Sequence, residues 1–174
     1  MKNLGIPAIG LLLSLMIANA AGFAAEPILT PFQAENLNGK NIAIPAGRRT
    51  LILIAFEREQ QDDVDSWIDG LDLVRSGLTW YEVPVIDNPG AILRWVITNG
   101  MRDGIPDPDR RAHVVTLFAN RPGFLQSLAI ADLGSCYAMV IDSEGKILTS
   151  VFGQYEPQSA KKILSLMTDD SEIR

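Results

Sequence analysis

Along this chain, unbroken apolar runs alternate with stretches whose apolar positions recur at helical spacing. Residues 50–56, Thr-Leu-Ile-Leu-Ile-Ala-Phe, are almost continuously β-branched or leucine, the pattern of a strand covered on both faces. The period then changes. Val64, Trp67, Ile68, Leu71 and Val74 recur at helical spacing with carboxylates between them, which predicts an amphipathic helix. Residues 78–86 predict a second strand, and residues 89–102 a helix that opens on Pro89-Gly90 and stops at Gly100. Residues 112–119 predict another buried strand and 121–131 a short helix. Residues 136–153 read as a β-hairpin turned at Ser143-Glu144-Gly145, and the helix after it faces Ile163, Leu164 and Met167 inward. Ahead of all these, residues 30–45 read as a hairpin folded at Asn38-Gly39.

The predicted order is therefore hairpin, β, α, β, α, β, α, β, β, α. That order argues for an α/β fold: a mixed, mostly parallel sheet flanked by helices on both faces. No repeat, low-complexity tract or Pro/Gly linker divides it, so residues 26–174 form one domain. Residues 1–25 read differently. Lys2 supplies a positive start, residues 4–17 an apolar stretch, and Ala18-Asn19-Ala20 or Gly22-Phe23-Ala24 a small-x-small cleavage pattern. This is a signal peptide, and the apolar run is shorter than the ~20 residues of a spanning helix. The expected location is the periplasm or cell envelope, attached to the inner membrane if the segment is retained uncleaved.

Composition removes several function classes. The formal charge is −6, with 21 acidic against 15 basic residues, so no basic footprint for nucleic acid or anionic lipid exists. The single cysteine, Cys136, excludes an intrachain disulfide. The single histidine, His113, reads as a hydrogen-bonded structural residue, and no metal or other cofactor is expected.

The element order, with its closing hairpin 137–153, resembles the thioredoxin-like branch that contains TlpA- and ResA-type proteins and peroxiredoxins. Residues 32–45 look like that branch's opening hairpin, and residues 113–130 like its inserted βα unit. The resemblance places a thiol pair at the entrance of the first helix, where this chain has Gln61 and Val64. It places a cis-proline six residues before Asp142, where this chain has Cys136. Both halves of the redox site are altered, and Asp62 and Asp63 satisfy the helix dipole without redox capacity. Tyr81-Glu82-Val83-Pro84 and Gly100-Met101-Arg102-Asp103-Gly104-Ile105 are similar to signatures of the mitochondrial ATP synthase assembly factor family. Residues 57–61 and the Val140-Ile141-Asp142 end of the hairpin are consistent with it. This resemblance implies a non-redox role in assembling a membrane protein complex through a protein partner.

The candidate binding residues are Arg102, Tyr81, Glu82, Met101, Glu57, Arg58 and Gln61. Arg102 continues the line Arg94, Thr98, Arg102 and sits between Gly100 and Gly104, which permit close approach; alternatively it only complements a helix end. Tyr81 and Glu82 point to opposite sides of the sheet, with Glu82 expected near Arg102 or at an edge. Glu57, Arg58 and Gln61 occupy the carboxyl end of a strand, where open α/β sheets bind ligands. Asp107, Asp109, Arg110 and Arg111 read as a solvated mixed-charge loop. Cys136 is either a small buried hydrophobe or a reactive thiol. The leading function is thus a binding or assembly factor, not an enzyme; the alternatives are a one-cysteine redox protein using Cys136 and a small-ligand carrier.

Overall fold

The computed structural model describes residues 27–168. The signal segment, its cleavage pattern and the last six residues lie outside the described residues. A two-stranded hairpin, β1 (Phe32–Glu35) with β2 (Asn41–Ile44), precedes a five-stranded sheet. The sheet strands are β3 (Thr50–Ala55), β4 (Trp80–Asp87), β5 (Leu117–Ala119), β6 (Tyr137–Ile141) and β7 (Ile147–Phe152). Their spatial order is β5-β4-β3-β6-β7. β3, β4 and β5 run parallel, while β6 and β7 complete the sheet antiparallel.

Every residue of β3 is buried, as its continuous apolar run predicts. The period of 2 then sorts its side chains between two cores. Leu51 and Leu53 pack with Val64, Trp67 and Ile68 of α1 (Gln61–Gly70) and with Ala160 and Ile163 of the last helix, α5 (Pro157–Thr168). Ile52 and Ile54 face the other way. They pack with Ile42 and Ile44 of the hairpin and with Leu128 and Ile130, which follow α4 (Arg121–Ser127). The fully buried Trp67 is also held by its indole, which donates from Nε1 to the carbonyl of Gly153 at 2.8 Å. Its ring meets Tyr155 edge-on at 5.5 Å.

Several elements differ from their sequence expectation. Helix α1 ends at Gly70, so Val74 lies beyond it and is exposed. Leu164 also faces outward; Leu166 takes the inward place beside Ile163 and Met167. The strand expected over 112–119 is regular only from Leu117, with Val114 and Val115 making isolated bridges. The helix α2 (Ala91–Gly104) does not stop at Gly100 but continues through it, because an interior glycine weakens a helix without ending it. A further short helix, α3 (Pro108–Ala112), replaces the expected solvated loop. Asp107 caps it by accepting from the Asp109 amide at 2.9 Å, and Pro108 occupies its first position.

Helix α2 is the exception in the packing. None of its 14 residues is buried, and Ile92, Leu93, Trp95 and Val96 are exposed. Two arginines tie it to the domain, and on its apolar side the half-buried Met101 accepts from the Thr116 hydroxyl at 3.6 Å. Arg94 lies over the Phe118 ring at 5.4 Å and donates to the carbonyl of Pro89 and the side chain of Asn88. Arg102 donates from Nε to the carbonyl of Leu37 at 2.8 Å. No helix among the described residues is long and apolar enough to cross a membrane.

Candidate functional site

The carboxyl ends of β3 and β4 open into a cleft of about 1060 Å³ between α1 and α2. The chain leaves β3 at Phe56 and makes a short 3-10 turn, Arg58–Gln60, before α1 begins. Gln60 fixes this exit. Its buried side chain accepts from the Phe56 amide at 2.8 Å and donates to the Leu133 carbonyl at 2.6 Å, tying the strand end to the loop before β6. Glu57, Arg58 and Gln61 follow at the mouth of the cleft, with Met101 on the facing wall.

Behind that mouth runs a chain of polar contacts that joins three elements. Gln61 donates from Nε2 to Asp65 at 3.1 Å; Arg110 donates from Nη2 to Asp65 at 2.7 Å and to Glu82 at 2.8 Å. Glu82 is only 1% exposed, so its charge is compensated by Arg110 rather than by water. Burial disfavours charge on the Arg110 guanidinium, but Glu82 and Asp65 outweigh it and raise its pKa above the ordinary arginine value. This corrects two expectations. Glu82 is neither at an edge nor paired with Arg102, and Arg110 is not a solvated loop charge.

The remaining candidates separate. Tyr81 points to the opposite face of β4, against the hairpin-side core and 6.0 Å from the His113 ring. Arg102 faces the β1–β2 loop, bonded to Leu37 and to Asn99 at 2.9 Å, and does not line the cleft. Its neighbours Gly100, Met101 and Gly104 do line it. Thus Glu57, Arg58, Gln61 and Met101 come together, whereas Tyr81, Arg102 and Cys136 lie elsewhere. Gln60 and Arg110 were missed as organisers. A side chain's partners 73, 45 and 28 residues distant carry no local signal.

Cys136 is fully buried beside Val64, its Sγ 3.6 Å from the Gly153 carbonyl. Burial pushes its pKa up to about 12, and the negative charge of Asp63 adds to the effect. Asp63, in the first turn of α1, accepts from Ser135 and from Gln154, so the helix entrance is closed by polar contacts to two loops. A nucleophilic thiolate is unfavourable there.

The architecture now has a match. The fold is thioredoxin-like. No family model matches the chain, and no curated protein matches it. Among solved structures, the exposed lipoprotein thioredoxin Etrx1 of Streptococcus pneumoniae superposes with a TM-score of 0.54 at 16% identity, covering 79% of this chain and 99% of that one. StoA of Bacillus subtilis gives 0.52 at 12% identity, covering 78% and 97%. Yeast Sco1 with copper bound gives 0.53 at 14% identity, covering 85% and 98%. At these identities the likeness is one of fold.

The residues here do not reproduce a copper site. His113 Nδ1 is engaged at 2.9 Å with the Trp80 carbonyl, and its ring stacks on Trp80 at 4.2 Å. Trp80 pairs with Leu51 at one end of β3, whereas Tyr137, next to Cys136, pairs with Ile54 at the other. The chain's single histidine and single cysteine therefore sit at opposite ends of the sheet. Among the described residues no cluster of His, Cys, Asp and Glu is placed to hold a metal ion.

Proposed function

We propose that this chain is an exported, non-redox thioredoxin-like binding protein that assists assembly of a membrane protein complex by holding a client in the α1–α2 cleft. The observation that carries the reading is the pairing of an open cleft with the loss of its thiols. The thioredoxin-like resemblance places a thiol pair at Gln61 and Val64, and the only cysteine is buried in the same core as Val64. A cleft kept without its redox pair retains recognition as its use. The likeness of residues 81–84 and 100–105 to the ATP synthase assembly factor signatures supports the same reading, because Gly100, Met101, Gly104 and Ile105 all line the cleft. The signal-like character of residues 1–25 supports a cell-envelope location, where such a complex would be met. The burial of Cys136 speaks against the one-cysteine redox alternative.

The test places a photo-crosslinking amino acid at Met101 and, as a control, at Glu144 in the distant β6–β7 turn. Membranes from the producing cell are irradiated, solubilised and analysed by mass spectrometry. One envelope protein captured from Met101 and not from Glu144, with capture unchanged in Cys136→Ser, is the expected result. Acceleration of insulin reduction by the purified protein, or loss of function in a folded Cys136→Ser variant, would restore the redox reading.

A further inference from the structure

The two walls of the cleft differ in chemistry. On α1, Asp62, Asp65 and Asp69 line it, spaced three and four residues apart and so on one helix face. Five carboxylates line the cleft with two arginines, Arg58 and Arg110; Arg110 pairs with Asp65 and with Glu82, Glu57 pairs with Arg121, and Asp107 caps α3. Asp62 and Asp69 have no ion-pair partner among the described residues. The α2 wall is apolar and low: Ile97, Gly100, Met101 and Gly104 share one helix face. Leu93, four residues before Ile97 and exposed, continues that row beyond the cleft.

Gly100 has no internal explanation. It costs an interior helix position about 1 kcal/mol relative to alanine. A Cβ built there meets nothing within 4 Å, and the same holds at Gly104. Neither glycine makes room for part of this domain, so the room they leave opens to whatever enters the cleft.

We infer that the cleft receives a cationic amphipathic segment of a protein partner, with Lys or Arg against the α1 carboxylates and apolar side chains seated on the Ile97–Gly104 row of α2. The inference rests on the reading of this cleft as a protein-binding site and adds the chemistry of the occupant. Charge complementarity selects the sign, and the glycine row admits close approach of the segment's backbone.

The test uses full-length protein and three synthetic peptides of one length: Lys/Leu amphipathic, Glu/Leu of the same pattern, and Lys/Ser. Fluorescence anisotropy should show binding of the Lys/Leu peptide, with the other two weaker by about tenfold or more. Asp62→Asn with Asp69→Asn should weaken binding by about tenfold and flatten its salt dependence. Gly100→Leu should also weaken binding while melting at or above the parent temperature, since leucine favours the helix and meets no internal atom. The charge-matched control, Glu35→Gln with Glu144→Gln at exposed sites away from the cleft, should change binding by less than about twofold.

Equal binding of the Glu/Leu peptide, or an equal loss in the control variant, overturns the inference. So does retention on phosphatidylcholine vesicles that Gly100→Leu abolishes while peptide binding persists, because the cleft would then face a bilayer. If Met101 crosslinks an envelope protein but the Lys/Leu peptide does not bind, the cationic occupant falls and the protein-binding reading stands. If neither occurs, both fall.

Discussion

Arg110 reaches from α3 to donate to Glu82 at 2.8 Å, and Glu82 sits almost wholly buried in the middle of the sheet. The short helix that carries Arg110 is thereby clamped over β4, with Asp65 of α1 as a second acceptor. Removing one partner strands a buried charge. Arg110→Met should lower unfolding free energy by about 3–5 kcal/mol in urea titrations. Arg110→Met combined with Glu82→Leu should recover a large part of that loss, since neither charge is then left unpaired. Full additivity of the two single losses would show that the pair is not coupled.

Cys136 is expected to be silent at neutral pH. With its pKa pushed to about 12, iodoacetamide should label the native protein far more slowly than the urea-unfolded protein. Linkage gives a second readout. The thiol's folded pKa lies above its ordinary value of 9.0, so between those limits the unfolded chain loses the proton first. Stability is thus intact below pH 9.0 and falls as pH rises towards about 12, with a slope approaching about 1.4 kcal/mol per pH unit. Cys136→Ala should remove this component from the alkaline limb; an unchanged limb would contradict the assigned burial.

Arg102 was the leading candidate for partner contact, and its geometry redirects the expectation. It bonds the Leu37 carbonyl and Asn99, anchoring α2 to the hairpin loop. Arg102→Ala should cost about 1.5–3 kcal/mol of stability, the range for a hydrogen bond to a charged group. The purified variant should melt lower yet bind the Lys/Leu peptide comparably. Normal melting with lost binding would put Arg102 back in the site.

Gly70 ends α1 directly under Tyr155, where an added Cβ would sit 2.5 Å from the ring. Gly70→Ala should therefore destabilise by about 1–3 kcal/mol despite alanine's better helix propensity. Tyr155→Ala in the Gly70→Ala background should relieve the clash, although it loses the Trp67–Tyr155 edge contact. A Gly70→Ala protein that melts at or above the parent temperature would show that the ring yields freely.

The α/β element order, the two-sided burial of β3, the inward row Val64-Trp67-Ile68 and the absence of a thiol pair were all legible in the linear sequence. Each depends on local periodicity or on residue identity, which no folding event alters. Even the mouth of the cleft at Glu57, Arg58 and Gln61 followed from its place at a strand's carboxyl end. What only the tertiary structure decided is which charges meet. In the sequence Arg110 is one more residue of a charged loop, and Glu82 either a neighbour of Arg102 or an edge carboxylate; only the fold brings α3 across β4. Arg102 left its expected part for a similar reason. Helical spacing says which side chains share a face but not which face meets the domain. On α2 the arginine line is anchored, Ile92, Leu93, Trp95 and Val96 stay exposed, and the row Ile97-Gly100-Met101-Gly104 lines the cleft.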